Sequence, residues 1–182
     1  MLFISGADIG DPSALIEFLH ARNLPSEGAV MLVGNGFHEV RNQSDERMVE
    51  VFRAYHDAGF LLLFTEESAL STEDLLKTAW NTYHAGFRYV HTKSGQGLRP
   101  ALKGPQPRFG KALPASWNEC ASKAGYVRLE PYCYRGRTIY PYAMKGRPNP
   151  AVSVSHFVIP RPLAESLGLL QSDARPVAPI EP

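Results

Sequence analysis

AVMLVGNGFHEVRNQSDERMVEVFRAYHDAGFLLLFTEES, Ala29 to Ser68, is the stretch that decides the fold. It opens and closes on short apolar runs, AVMLVGNGF and FLLLF, that do not alternate with polar residues, as strands covered on two faces do not. Between them Met48, Val51, Phe52 and Tyr55 recur at three- and four-residue steps, the spacing of one helix face. Gly59 follows, where a left-handed cap is cheapest. The pattern predicts a strand, a helix and a second strand parallel to the first.

In an open parallel sheet, ligands bind beyond the carboxyl ends of the strands. Those ends carry Gly34, Asn35, Gly36, His38, Glu39 and Arg41 after the first run, and Thr65, Glu66, Glu67 and Ser68 after the second. Polar residues in these places are not explained as core filling.

The 182 residues suit one domain with a real core, and 44% hydrophobic with 20% charged residues matches a globular average. A net charge of +1 argues against a large nucleic-acid face. Cys120 and Cys133 are too few for a disulfide scaffold and lack zinc-ligand spacing. No run approaches a membrane span and no export signal is read, so the expectation is a cytoplasmic protein without a membrane or nucleic-acid partner.

Outside the central unit, MLFISGADI, Met1 to Ile9, reads as a further strand ending near Asp8, and Asp11 with Pro12 opens a helix carrying Leu15, Ile16 and Leu19. A helix from Ser71 to about Val90 puts Trp80, Tyr83, Phe87 and Val90 on one side and Asn81, His84, Arg88 and His91 beside them. Thr92 to Lys111, with four glycines and three prolines, reads as a loop of the kind that forms lids or partner surfaces. Pro114 to Gly125 reads as a short helix. Val127 to Tyr134 and Thr138 to Met144 read as a hairpin, with Pro131 and Pro141 at edges or bulges. Val152 to Ile159 is a further strand or a segment over one face. The fold expected is α/β, a partial doubly wound Rossmann-like sheet, mostly parallel, with a C-terminal antiparallel hairpin. The domain spans 1–170, with an inserted helix and loop at 71–113. Residues 171–182 form a Pro-rich tail.

The chemical candidates follow from placement. His38 takes a proton near neutral pH and stands at a strand tip, as a catalytic base or a structural hydrogen-bond partner. Glu39 is next to it, but neighbours on a strand or helix diverge, so the two are not expected to touch. Arg41 would meet an acidic substrate group or pair with Glu39 or Asp45. Glu66 either borders the crevice, facing substrate, or supplies negative charge near a helix start. Tyr83 and His84 are the helix candidates for substrate binding and catalysis. His84 and His91 share a side but lie roughly 10 Å apart along a helix, so no metal site is expected in this chain. Asp8 is a cap residue or a ligand contact, and Asn35 and Gly36 make a tight turn or approach a nucleoside.

GADIGDP at Gly6 to Pro12, VGNGFHEVR at Val33 to Arg41, FLLLFTEES, and ASWNECASKAGYVRLEPY at Ala115 to Tyr132 together resemble the C-terminal half of a class I S-adenosylmethionine-dependent methyltransferase. The resemblance implies S-adenosylmethionine as cofactor, held by Asp8, Ile9, Gly34, Asn35 and Gly36. It also implies methyl transfer to a small molecule, with His38 or His84 as catalytic base and Glu39, Arg41, Glu66 and Tyr83 facing the substrate. The family's glycine-rich turn after its first strand, and the acidic residue ending its second, have no counterpart here. The expectation is therefore a fragment or one part of a split enzyme, as a homo-oligomer or with a partner chain supplying the N-terminal half. The competing expectation is a noncatalytic interaction or regulatory subunit on the same truncated fold.

Overall fold

The computed structural model describes residues 4–71, 81–102, 112–135 and 153–170, with side chains omitted at 81–85 and 134–135. The central unit forms as its pattern requires. Strand β1 (Val30–Gly34) pairs in parallel with β2 (Leu61–Glu67), from Val30 opposite Leu61 to Gly34 opposite Thr65.

Two helices precede β2. Helix α1 (Ser13–His20) lies before β1, and Asp11 accepts the Ser13 N–H at its start. Helix α2 (Asp45–Asp57) makes the crossover. Ser44 caps α2 by accepting the Arg47 N–H, Asp45 and Glu46 complement the helix dipole, and Met48, Val51, Phe52 and Tyr55 are buried. Its C-terminal turn closes on Gly59 at φ +81°, where any Cβ would stand 2.8 Å from the Glu27 backbone. Glycine is therefore required there both by conformation and by space.

The rest of the sheet reverses direction. Strand β5 (Ser153–Pro160) lies antiparallel to β2 and is flanked on its other edge by β3 (Tyr126–Arg128) and β4 (Tyr134–Arg135). The order is β1-β2-β5-β3, with β4 also on β5. This is a partial Rossmann-like sheet, a parallel core followed by an antiparallel C-terminal pair. The antiparallel partner of β3 is the segment from Ser153, while Thr138–Met144 lies outside the described residues. Pro131 breaks the Val127–Tyr134 strand into β3 and β4 through a 3-10 turn (Glu130–Tyr132), because proline donates no ladder hydrogen bond.

Helix α3 (Asn81–Lys93) runs through Gly86, and α4 (Trp117–Lys123) starts later than Pro114, at a capping box of Ser116 and Glu119. Helix α5 (Arg161–Ser166) follows β5 directly. Residues 4–7 form no strand: Gly6 turns at φ +74°, and Asp8 makes only an isolated bridge to Asp11. The proposed tail, 171–182, lies outside the described residues. Among the described residues no helix is long and apolar enough to cross a membrane.

One buried cation ties the loop after α3 to the core. Arg99 is 2% exposed and donates to Asp45, to the Gln43 side chain and to the Ser44 and Ala115 carbonyls. Ser68 bridges Arg99, and the Ala69 N–H donates to the Arg99 carbonyl. The start of the expected lid is thus fixed structure, and Asp45 is spoken for by Arg99 rather than Arg41. Arg99→Ala is expected to destabilise the protein by about 3 kcal/mol or more, since it strands a partly buried carboxylate and three acceptors. Urea denaturation of the two proteins checks this.

Candidate metal centre

The site is built from the tip of β1. Asn35 adopts φ +53° and donates its N–H to the Thr65 carbonyl at 2.7 Å, holding the chain beside β2 as it leaves the sheet. It then enters a 3-10 turn (Phe37–Glu39) anchored by Phe37, which is fully buried against Phe52, Tyr55 and Phe64. That anchor directs three successive amides at one carboxylate. Glu66 Oε1 accepts the Gly36 N–H at 2.8 Å and the Phe37 N–H at 2.5 Å, while Oε2 faces the His38 N–H at 3.4 Å.

Glu66 is completely buried, because it continues the inward alternation of Leu62 and Phe64 along β2. Its Oε2 also meets His38 Nδ1 at 2.8 Å. A carboxylate that accepts there puts the imidazole proton on Nδ1 and leaves the Nε2 lone pair free. Burial works against a charged His38, but the Glu66 hydrogen bond, the Glu66 charge and the nearby Glu39 and Glu67 outweigh it, raising the pKa above 6.5. A carboxylate behind a histidine makes it a more basic ligand.

His91, on α3, presents the same arrangement. Its Nδ1 lies 2.8 Å from the Phe87 carbonyl one turn earlier. A carbonyl only accepts, so this proton too sits on Nδ1 and Nε2 is left with a lone pair. The Phe87 ring packs on His91 at 4.1 Å between centroids, and the two imidazoles are 5.0 Å apart. Glu39 joins them: its Oε1 is 3.3 Å from His38 Nε2 and 3.9 Å from His91 Nε2.

Among the described residues, His38, Glu39 and His91 therefore converge with ligand atoms all within 4.8 Å. Both histidines are buried and Glu39 is half exposed, so the cluster opens to solvent on the carboxylate side. Two imidazoles and one carboxylate form the donor set of catalytic zinc and non-haem iron sites, in which three protein ligands leave positions open. Bonds of about 2.1 Å put neighbouring ligand atoms roughly 3 Å apart, so closing on a cation draws the two imidazoles and the Glu39 carboxylate inward together.

Against the sequence reading, His38 and Glu39 do touch, because the 3-10 turn between them has neither strand nor α-helix geometry. Glu66 is turned inward to support His38. His91 meets a histidine from another element, and the sequence comparison with His84 alone passed it over. The detectable signals were the inward period of Leu62, Phe64 and Glu66 and the four-residue step from Phe87 to His91. The side chains of Tyr83 and His84 lie outside the described residues, and Arg41 is exposed.

The cofactor candidates gather at the same end of β1. Ile9 would lie 2.9 Å from a Cβ on Gly36, so the Asp8–Ile9 segment rests against the turn, and Tyr55 donates to the Ile9 carbonyl. Gly36 is thus a packing requirement. Gly34 is different: it is exposed, with nothing within 4 Å of where its Cβ would stand. Asp8 and Asn35 are exposed as well, although Asp8 Oδ1 accepts the Gly10 N–H. Asp8, Gly34 and Asn35 thus form an exposed polar surface at this end of β1.

Neither a protein-family model nor a curated protein matches this chain. Fold and site define it as a small α/β domain with a partial Rossmann-like sheet, an architecture compatible with binding a nucleotide-like cofactor or other small molecule. Its polar residues gather at the strand tips that such domains use for ligands.

Proposed function

We propose that the chain transfers a methyl group from S-adenosylmethionine to a small-molecule acceptor held beside a divalent metal ion at His38, Glu39 and His91. The observation that carries the reading is the pair of Nδ1-anchored imidazoles, each with its Nε2 turned toward the same Glu39 oxygen, so that three donor atoms face one point where a cation would sit. S-Adenosylmethionine supplies an electrophilic methyl group, and exposed Gly34, Asn35 and Asp8, with Ile9 behind them, would hold its adenosyl part. A cation at the three ligands would polarise an acceptor oxygen and ease loss of the nucleophile's proton. Glu66 fixes His38, the Phe87 ring walls one side against water, and the protein's main work is alignment of acceptor and methyl group.

A second reading, an interaction subunit working with a partner chain or a second copy, is favoured by one feature. Val30 and Leu32 on β1, the outermost of the described strands, are 54% and 72% exposed, and that strand carries no charge or proline. On either reading we place the protein in the cytoplasm.

Titration with S-adenosylhomocysteine by calorimetry separates the two. Gly34→Val meets no steric obstacle in the fold but covers the open backbone, so it is expected to leave the melting temperature within a few degrees and weaken binding at least tenfold. Absence of heat with the wild-type chain, folded and metal-loaded, turns the case toward the interaction subunit.

A further inference from the structure

The loop that follows α3 brings a further residue, Gln96, to the metal cluster. Ser94 to Gly97 is sewn to the turn carrying His38 and Glu39. Gly97 donates its N–H to the His38 carbonyl at 3.2 Å, and the Gln43 N–H donates to the Gly95 carbonyl at 3.3 Å. The Gln43 amide in turn donates to the Phe37 carbonyl at 3.1 Å, and a Cβ on Gly97 would stand 2.9 Å from the Gln43 oxygen. The two ligand-bearing elements, the 3-10 turn and the end of α3, are clasped together by this loop.

Within the clasp, Gln96 donates its N–H to the His91 carbonyl at 2.9 Å, and its side-chain oxygen accepts from Ser94 Oγ at 3.0 Å. With that oxygen engaged, the amide nitrogen faces outward and donates to Glu39 Oε2. An ionised carboxylate only accepts, so Glu39 fixes which end of the amide faces it, while the single Ser94 proton is shared with the Val90 carbonyl at 2.8 Å and the His91 carbonyl at 3.2 Å. The consequence is a division of labour between the Glu39 oxygens: Oε2 belongs to Gln96, and Oε1 is the atom turned toward both imidazoles.

We infer that Gln96 is a positioning residue that holds Glu39 as a monodentate metal ligand, by occupying Oε2 and presenting only Oε1 beside His38 and His91. The inference rests on the metal-centre reading above. It carries a functional consequence: a carboxylate kept to one oxygen leaves one more coordination position open for an exogenous oxygen ligand than a chelating one. It also restrains the ligand on the one exposed side of the cluster, where the free Glu39 side chain would otherwise sample many rotamers.

Cobalt(II) is the probe, because its visible d–d bands weaken as coordination number rises. Wild-type protein is expected to bind one Co(II), and His91→Ala to lose that binding. Gln96→Leu, which removes both amide contacts, is expected to bind Co(II) about 10- to 100-fold more weakly. Its visible band should be weaker and displaced, as Glu39 turns to chelate. Gln96→Ala, which removes the amide with a smaller side chain, is expected to shift the same band in the same direction, and it carries the test should Gln96→Leu fail to fold. Wild-type affinity and an unaltered spectrum in the folded variants would overturn the role of Gln96 alone. Failure of wild-type protein to bind Co(II), or equal binding by His91→Ala, removes the metal centre itself and the inference with it.

Discussion

Glu66→Gln is expected to cost the protein its metal while leaving it folded. The substitution changes one oxygen for an NH2 group at a position where all four hydrogen-bond partners are donors. Oε1 serves the Gly36 and Phe37 amides at 2.8 and 2.5 Å, and those donors cannot change character. The glutamine carbonyl must therefore stay with them, which places its NH2 against His38 Nδ1. Donor then faces donor, unless the imidazole moves its proton to Nε2 and accepts through Nδ1. That is the stable outcome, and it puts a hydrogen on the atom meant for the cation. Affinity for Zn(II), measured by calorimetric titration and checked by metal content after dialysis, should fall 10- to 100-fold or more. The melting temperature should move by only a few degrees. Glu66→Ala provides the contrast. It strands three backbone amides and an imidazole, and its cost is expected in stability, about 3 kcal/mol or more, as well as in metal binding. Tight Zn(II) binding by Glu66→Gln would show that His38 Nε2 is not the ligand atom.

The same carboxylate shows which parts of the molecule were legible in the sequence. Strands β1 and β2 and helix α2 were readable because each is dictated by local periodicity and by caps a few residues away. The antiparallel end of the sheet was readable as a class but not in its pairing. The partner of β3 begins at Ser153, beyond the segment that looked like the nearer hairpin arm, and local sequence does not specify which later strand wins. The site was readable one residue at a time. His38, Glu39 and Glu66 stood out as polar groups after apolar runs, yet their relationship depends on a 3-10 turn fixed by the burial of Phe37, and on register across the two parallel strands. His91 enters from a helix that packs there for tertiary reasons, and the four-residue step from Phe87 puts the two rings on one helix face without saying which element they meet. Glu66 reads in sequence as a crevice carboxylate or as charge near a helix start, although the alternation from Leu62 and Phe64 already points it inward.

The metal cluster does not use every buried histidine, and the remaining one should set how the fold fails in acid. His156 is completely buried on the core face of β5, stacked on Phe64 with centroids 4.8 Å apart and rings within 15° of parallel. Arg128 donates Nε–H to His156 Nδ1 at 3.2 Å, so the ring is neutral with its proton on Nε2. Burial, and then the Arg128 charge, push its pKa down to about 3 from 6.5. Because the folded value is the lower one, the unfolded chain binds the extra proton between these limits. The stability this group contributes is therefore fully present above pH 6.5 and is lost as pH falls toward 3. The slope is about 1.4 kcal/mol per pH unit through that window, a total on the order of 5 kcal/mol. His156→Gln removes the titration while keeping an acceptor for Arg128. At pH 7.5 the variant should be less stable by about 1 kcal/mol through loss of the ring stack. Between pH 6 and 4 its stability should fall more gently than wild type by roughly 1.4 kcal/mol per unit, so the two curves cross. His38, whose pKa is raised, contributes with the opposite sign, but it is common to both proteins and cancels in the difference. Urea denaturation of the metal-free proteins at half-unit pH steps measures that difference directly. Parallel curves from pH 7.5 to 4 would mean that His156 takes up its proton inside the folded protein, and that the stack with Phe64 and the Arg128 contact do not hold it neutral.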